Sequence, residues 1–220
     1  MAKNDVILID GILEERIENS FPSQNIDEVF EYFTYEQLLK NYDLSKDEIL
    51  AGSVDGRKDG GIDAIFVFVN GHLIDDVSLF NFPKAKAEIS IEIISCKHAS
   101  EFKQAPIDAM IPTIKDFFDF TIDTDNIRGT YNSDIINARK KILIIYKKLA
   151  SSLETFKINF TYASRGDSSV IGEEVENRKK QLLQITNDLL SDCSASFSYL
   201  GSQELLKAFR RGCPKRNGQP

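Results

Sequence analysis

Asp63 and Lys97 are the residues of this chain whose types and settings best suit chemistry on a phosphate. Asp63 closes the run Asp59-Gly60-Gly61-Ile62 and opens an apolar stretch from Ala64 to Val69, whereas Lys97 ends a second one that begins at Ala87. If these two strands pair antiparallel, the start of one meets the end of the other, and a carboxylate and an ammonium face one hollow. Hydrolysing a phosphodiester requires neutralised charge on the phosphate, an activated water and help for the leaving oxygen. Mg2+ or Mn2+ held by one or two carboxylates supplies much of this. Asp63 is then the natural metal ligand and the backbone carbonyl of Cys96 a second. Lys97 would orient the water or meet the charge that builds on the phosphate.

The period of a strand decides which neighbours can help. Ser95 and Lys97 project from the same face as Ile89, Ile91 and Ile93, while Glu92 projects from the other with Ile94 and Cys96. Glu92 therefore cannot share a hollow with Lys97 unless a bulge intervenes. Lys103 and Gln104 stand at the start of the helix that follows, where backbone N–H groups favour anions, so they are candidates to touch a nucleic-acid backbone. A solvated helix start is the plainer alternative. His98 is a third candidate, although parity turns its side chain to the opposite face.

These residues need a scaffold, and the hydrophobic pattern supplies one. A helical stripe runs from Asp5 to Ser20 and stops at Phe21-Pro22-Ser23; a second helix, capped by Asp27, runs to about Asn41. Ser45-Lys46-Asp47-Glu48 has the spacing of a capping box. Ile62 to Val69 is apolar on both alternating faces, as a central strand requires, and Asn70-Gly71 signals a hairpin returning over His72 to Val77. Ala87 to Lys97 is the next strand. Helices are expected from Gln104 or Pro106 to Phe120, from Ser133 to Ser152, from Glu173 to Leu190 and from Gln203 to Arg210. Strands are expected at Phe156–Tyr162 and Ser194–Leu200. Alternation of this kind predicts an α/β fold, a mixed central sheet flanked by helices.

The 220 residues, 42% hydrophobic and 28% charged, suit one domain over 1–210 with a basic tail at 211–220. No apolar run approaches a membrane span and no signal peptide is evident, so a cytoplasmic protein is expected. Cys96, Cys193 and Cys213 have neither zinc-ligand spacing nor an even count, which points to reduced thiols. A formal charge of −7 argues against non-specific coating of nucleic acid. Acid is concentrated early, from Glu14 to Glu48. Base gathers later, in Arg139-Lys140-Lys141, Lys147-Lys148, Arg178-Lys179-Lys180 and Arg210-Arg211, either as a face for phosphates or as solvated helix surfaces.

Taken in order, Phe30-Glu31, Asp59-Gly60-Gly61-Ile62-Asp63 and Ser95-Cys96-Lys97 resemble the PD-(D/E)XK superfamily of restriction-endonuclease-like proteins. Within it the chain looks most like the N-terminal nuclease region of AIPR (abortive infection phage resistance) proteins. Gly61 through Gly71, Lys97-His98 with Phe102, Phe160-Thr161-Tyr162 and Gly201-Ser202-Gln203-Glu204-Leu205-Leu206 extend the likeness over most of the chain. The resemblance implies a restriction-endonuclease-like fold and a magnesium-dependent DNA endonuclease of restriction or phage defence. It places Asp63, Ser95 and Lys97 at the active centre, with Glu31 as a helix carboxylate completing the metal site. It also implies that a homodimer would suit double-strand cleavage, and that a further domain or partner subunit often accompanies the nuclease region. Ser95 departs from the pattern, standing where an acidic residue or glutamine is usual, and a neutral hydroxyl binds metal only weakly. Glu31, or Asp59 from the glycine loop, would have to replace the missing carboxylate. Two other readings stay open: a nuclease fold kept for binding nucleic acid or a protein, and a protein-interaction module with basic helices.

Overall fold

The computed structural model describes residues 4–19, 22–54 and 56–211. Three helices come first: α1 (Asp5–Glu18), α2 (Ile26–Leu38) and α3 (Lys46–Ala51). Next come β1 (Ala64–Val69), β2 (His72–Leu73), β3 (Ala87–Lys97), α4 (Ala105–Phe118) and α5 (Ser133–Leu149). The chain closes with β4 (Leu153–Ser164), α6 (Glu173–Leu189), β5 (Cys193–Leu200) and α7 (Ser202–Arg210). The strands form one sheet in the order β2-β1-β3-β4-β5. β1 runs antiparallel to β2 and β3, while β3, β4 and β5 run parallel, so the expected α/β fold with a mixed sheet flanked by helices is the observed one.

The sheet is covered on both faces, and strand parity sorts the core. Ile65, Val67, Val69, Ile89, Ile91 and Ile93 pack with Ile107, Met110 and Ile114 of α4, Ile142 of α5 and Leu182 of α6. Ala64, Phe66, Phe68, Ile94 and Cys96 pack on the other face with Phe30 and Phe33 of α2 and Leu205 and Leu206 of α7. Full burial of each large apolar side chain is worth about 1.5–3 kcal/mol, so a strand apolar on both faces is held firmly at the centre. All six residues of β1 are buried.

Several boundaries differ from the sequence expectation. Asn25, not Asp27, caps α2: it is extended at φ −87° and ψ 120°, and its side chain accepts from the Asp27 N–H. Asp27 lies inside the first turn, where its charge favours the helix dipole instead. The capping box at Ser45 and Glu48 is present. Asn70 and Gly71 both take positive φ, as a tight hairpin needs, but the return strand is only His72–Leu73 because Asp75 and Asp76 follow at once. β4 is longer than expected, since its first residues alternate between half-buried and exposed and lack an apolar signature. Ser20, Phe21 and residues 212–220, with Cys213 and most of the expected tail, lie outside the described residues. No helix among the described residues is long and apolar enough to cross a membrane.

Candidate active site

Register brings the expected pair together. Ala64 pairs with Ile94 across β1 and β3, so Asp63, just before β1, lies beside the last residues of β3. Its backbone N–H donates to the Ile94 carbonyl at 2.8 Å, and its own carbonyl accepts from Val54 N–H at 3.0 Å and the Tyr35 hydroxyl at 2.9 Å. A carboxylate fixed this way at its backbone loses little entropy when it binds a ligand. Oδ2 of Asp63 accepts from the Cys96 N–H at 2.7 Å, from the Ser95 hydroxyl at 3.2 Å and from Lys97 Nζ at 3.2 Å. Nζ also lies 3.2 Å from Oδ1. Asp63 and Ser95 are buried, while Lys97 keeps 42% of its side chain in solvent.

The glycine loop explains why Asp63 can sit there. Gly60 and Gly61 have φ of +66° and +80°, which side-chain-bearing residues rarely adopt. A Cβ on Gly61 would lie 2.8 Å from Ala109 Cβ and from the Pro106 carbonyl, so the loop must pack bare against α4. The Asp59 carboxylate accepts from the Gly61 N–H at 2.7 Å and closes the turn. Thr113 of α4 holds the Gly60 carbonyl at 3.0 Å.

Charge at the site is unevenly shared. Burial pushes the Glu31 carboxyl up to about 8, and the nearby Asp63 charge adds to the rise while Lys97 opposes it. A carboxyl in that range can give or take a proton near neutral pH. Burial alone would lower Lys97, but the charge and hydrogen bonds of Asp63, helped by Glu31, more than offset it and hold the ammonium above its ordinary value. Lys97 is therefore suited to meet negative charge and unsuited to remove a proton from water.

Two cavities flank the pair. One of about 410 Å³ is lined by Lys97, Asp59, Gly61, Lys103, Pro106 and Tyr162. The other, of about 380 Å³, is lined by Glu28, Glu31, Tyr32, Tyr35, Ser53 and Gly56. Glu31 thus approaches from the α2 side of the sheet, whereas Ser95 and Lys97 share the α4 side, as parity requires. The Cys96 carbonyl lies on the same edge of β3 as the N–H that reaches Asp63.

The remaining candidates are less central. Lys103 lines the first cavity with an exposed side chain 3.4 Å from Glu101, and its backbone N–H donates to the Tyr162 hydroxyl at 3.1 Å. Gln104 turns away along α4, donating to Asp108 at 2.8 Å. His98 is drawn to the α1–α2 side, between Asp10 at 3.9 Å and Asp27 at 3.8 Å and against the Phe30 ring. Burial, and then the nearby Arg165 charge, lower its pKa. Sequence reasoning missed Tyr35 and Tyr162. Tyr35 stands one helical turn after Glu31, a spacing that could have flagged it; Tyr162 depends on the parallel pairing with Ser95 and had no local signal.

The fold and site define a class: a mixed-sheet α/β protein in which a buried carboxylate at the mouth of one central strand meets a charged lysine at the carboxyl end of the next, beside a cavity. Nothing more particular comes from known proteins, because no known family, no curated protein and no solved structure matches the chain.

Proposed function

We propose that the chain is a metal-dependent endonuclease that hydrolyses phosphodiester bonds of DNA, in restriction or phage defence, as the PD-(D/E)XK and AIPR resemblance implies. The observation that carries this reading is the Asp63–Lys97 pair, 3.2 Å apart where the mouth of β1 meets the end of β3, with Lys97 lining a cavity.

Among the described residues no group of three or more His, Cys, Asp or Glu side chains is placed to hold a metal. Mg2+ does not require one, since it commonly keeps water and uses one or two carboxylates together with substrate phosphates. The donors fit that habit. Asp63 Oδ1, Glu31 and the Cys96 carbonyl would hold Mg2+ or Mn2+; Asp63 supplies the negative charge, and Glu31, raised to about 8 without metal, would release its proton to solvent on joining the ion. Bound there, the ion would polarise the phosphate and lower the pKa of water. Lys97 binds the phosphate and faces the charge that grows on it, while Ser95 and the Cys96 N–H hold the Asp63 carboxylate in orientation.

The test is nicking of supercoiled plasmid with and without Mn2+ or Mg2+. Wild-type protein should nick only with metal, and Asp63→Asn and Lys97→Met should each lose about 100-fold or more. Equal nicking by both folded variants would reject the assignment.

Ser95 favours a second reading, a catalytically impaired nuclease fold that binds nucleic acid or a protein partner. Its hydroxyl donates to Asp63 instead of adding a carboxylate. Binding to DNA without turnover in wild type, with cleavage gained in Ser95→Glu, would support it. Reduced thiols accord with a cytoplasmic setting. A homodimer or a further domain belongs to the same proposal.

A further inference from the structure

Several cations of the basic clusters singled out along the sequence are tied into the fold. Arg139 is buried, its guanidinium on the carbonyls of Asp116, Asp119 and Ile122, and Lys141 donates to the Ile74 carbonyl at 3.1 Å. Arg178 pairs with Asp108 at 2.7 Å, and Lys179 pairs with Glu176 at 3.3 Å and lies over the Tyr199 ring. These cations are committed to holding the fold.

A different pair has no such duty. Arg57 and Lys58 are exposed, and neither is in an ion pair among the described residues. They sit at the tip of the loop from Gly56 to Gly61, which passes from one cavity to the other: Gly56 lines the Glu31 side, Asp59 and Gly61 the Lys97 side. The loop is not slack. The Lys58 carbonyl accepts from the Asn132 N–H at 3.1 Å, at the cap of α5, and the Gly60 carbonyl is held by Thr113. Lys58 itself has φ +70°, a strained setting for a residue with a side chain. Asparagine or glycine would take that conformation more cheaply, so the fold gains nothing from lysine there.

We propose that this loop is a phosphate clamp: Arg57 and Lys58 hold the backbone of a nucleic acid where the loop enters the Lys97 cavity, Lys103 holds it on the α4 side of that cavity, and the phosphate between them meets Lys97. The proposal rests on the nuclease reading for the fate of that phosphate, but binding by the clamp can be measured without cleavage. The recognised chemistry is the phosphodiester backbone, which DNA and RNA share.

The experiment uses the full chain carrying Asp63→Asn and fluorescein-labelled duplex DNA, single-stranded DNA and RNA, with anisotropy followed from about 50 to about 200 mM salt. Arg57→Gln with Lys58→Gln should weaken binding about tenfold or more and reduce the slope of log affinity against log salt by about 2. Lys147→Gln with Lys180→Gln, exposed cations elsewhere, should change neither. Lys58→Gly separates binding from folding: it should weaken binding while leaving the melting temperature equal or higher, because it relieves the positive φ. Affinity and salt slope unchanged in the loop variants, or no binding to any of the three nucleic acids, would overturn the clamp. A salt-dependent loss in the loop variants alongside a wild-type protein that never nicks DNA would keep the clamp and remove the nuclease assignment. Normal nicking with loop variants that bind like wild type would do the reverse.

Discussion

At the scale of single residues, the site is a balance between one lysine and two carboxylates. Asp63 is sheltered by three donors, whereas Glu31 is left short of positive charge, and that shortage has a measurable effect on stability. Its carboxyl stays protonated in the folded protein up to about pH 8 and ionises near its ordinary value of 4.5 once unfolded. Its contribution to stability is thus fully present below 4.5 and is lost as pH rises through 8. Glu31→Gln should raise the melting temperature at pH 8 and leave it nearly unchanged at pH 4, in metal-free buffer by calorimetry. Ser95→Ala tests the orienting bond: it should cost about 1 kcal/mol in denaturant unfolding, and plasmid nicking should fall while metal dependence remains. Asp63 was legible in the sequence because a charge at the mouth of an apolar strand is an anomaly. The protonated state of Glu31 was not, since it depends on burial and on a neighbour brought from another element.

At the scale of elements, the decisive feature is how the loop before β1 meets α4. Two glycines at positive φ let the backbone lie against α4, Gly60 on Thr113 and Gly61 on Ala109 and Pro106, and this contact aims Asp63 at the end of β3. Gly61→Ala should therefore cost about 1–3 kcal/mol by chemical denaturation, from strain and overlap together. It should also weaken any Mn2+-induced rise in melting temperature, because the carboxylate is displaced. Gly71→Ala, with nothing near its Cβ but a similar φ of +78°, separates the two terms and should cost about 1 kcal/mol. The hairpin at Asn70-Gly71 and the capping box at Ser45 could be seen from local chemistry, because each satisfies its own backbone within a few residues. The short β2 and the long β4 could not. Their ends are set by pairing across the sheet, which overrode weak local patterns.

Across the whole molecule, charge is divided between structural and exposed roles in a way that composition conceals. Arg139 illustrates the first: it is a fully buried cation that satisfies the carbonyls between α4 and α5, and it also contacts Thr124. Arg139→Met should cost about 3–5 kcal/mol, visible as a large fall in the unfolding midpoint, because it strands several buried acceptors. A loss under 1 kcal/mol would mean that water takes its place. By itself, the sequence determined the α/β class, the two long central strands, and the side of the sheet on which Ser95 and Lys97 must lie. Those properties follow from hydrophobic periodicity, which acts along the chain. Only the tertiary structure decided that Asp63 and Lys97 touch, that Glu31 arrives from the opposite face, and that Arg57 and Lys58 are left exposed on the loop that leads to Asp63. Each of these depends on register and packing between segments distant in the chain, where long-range burial and pairing outweigh anything local composition can encode.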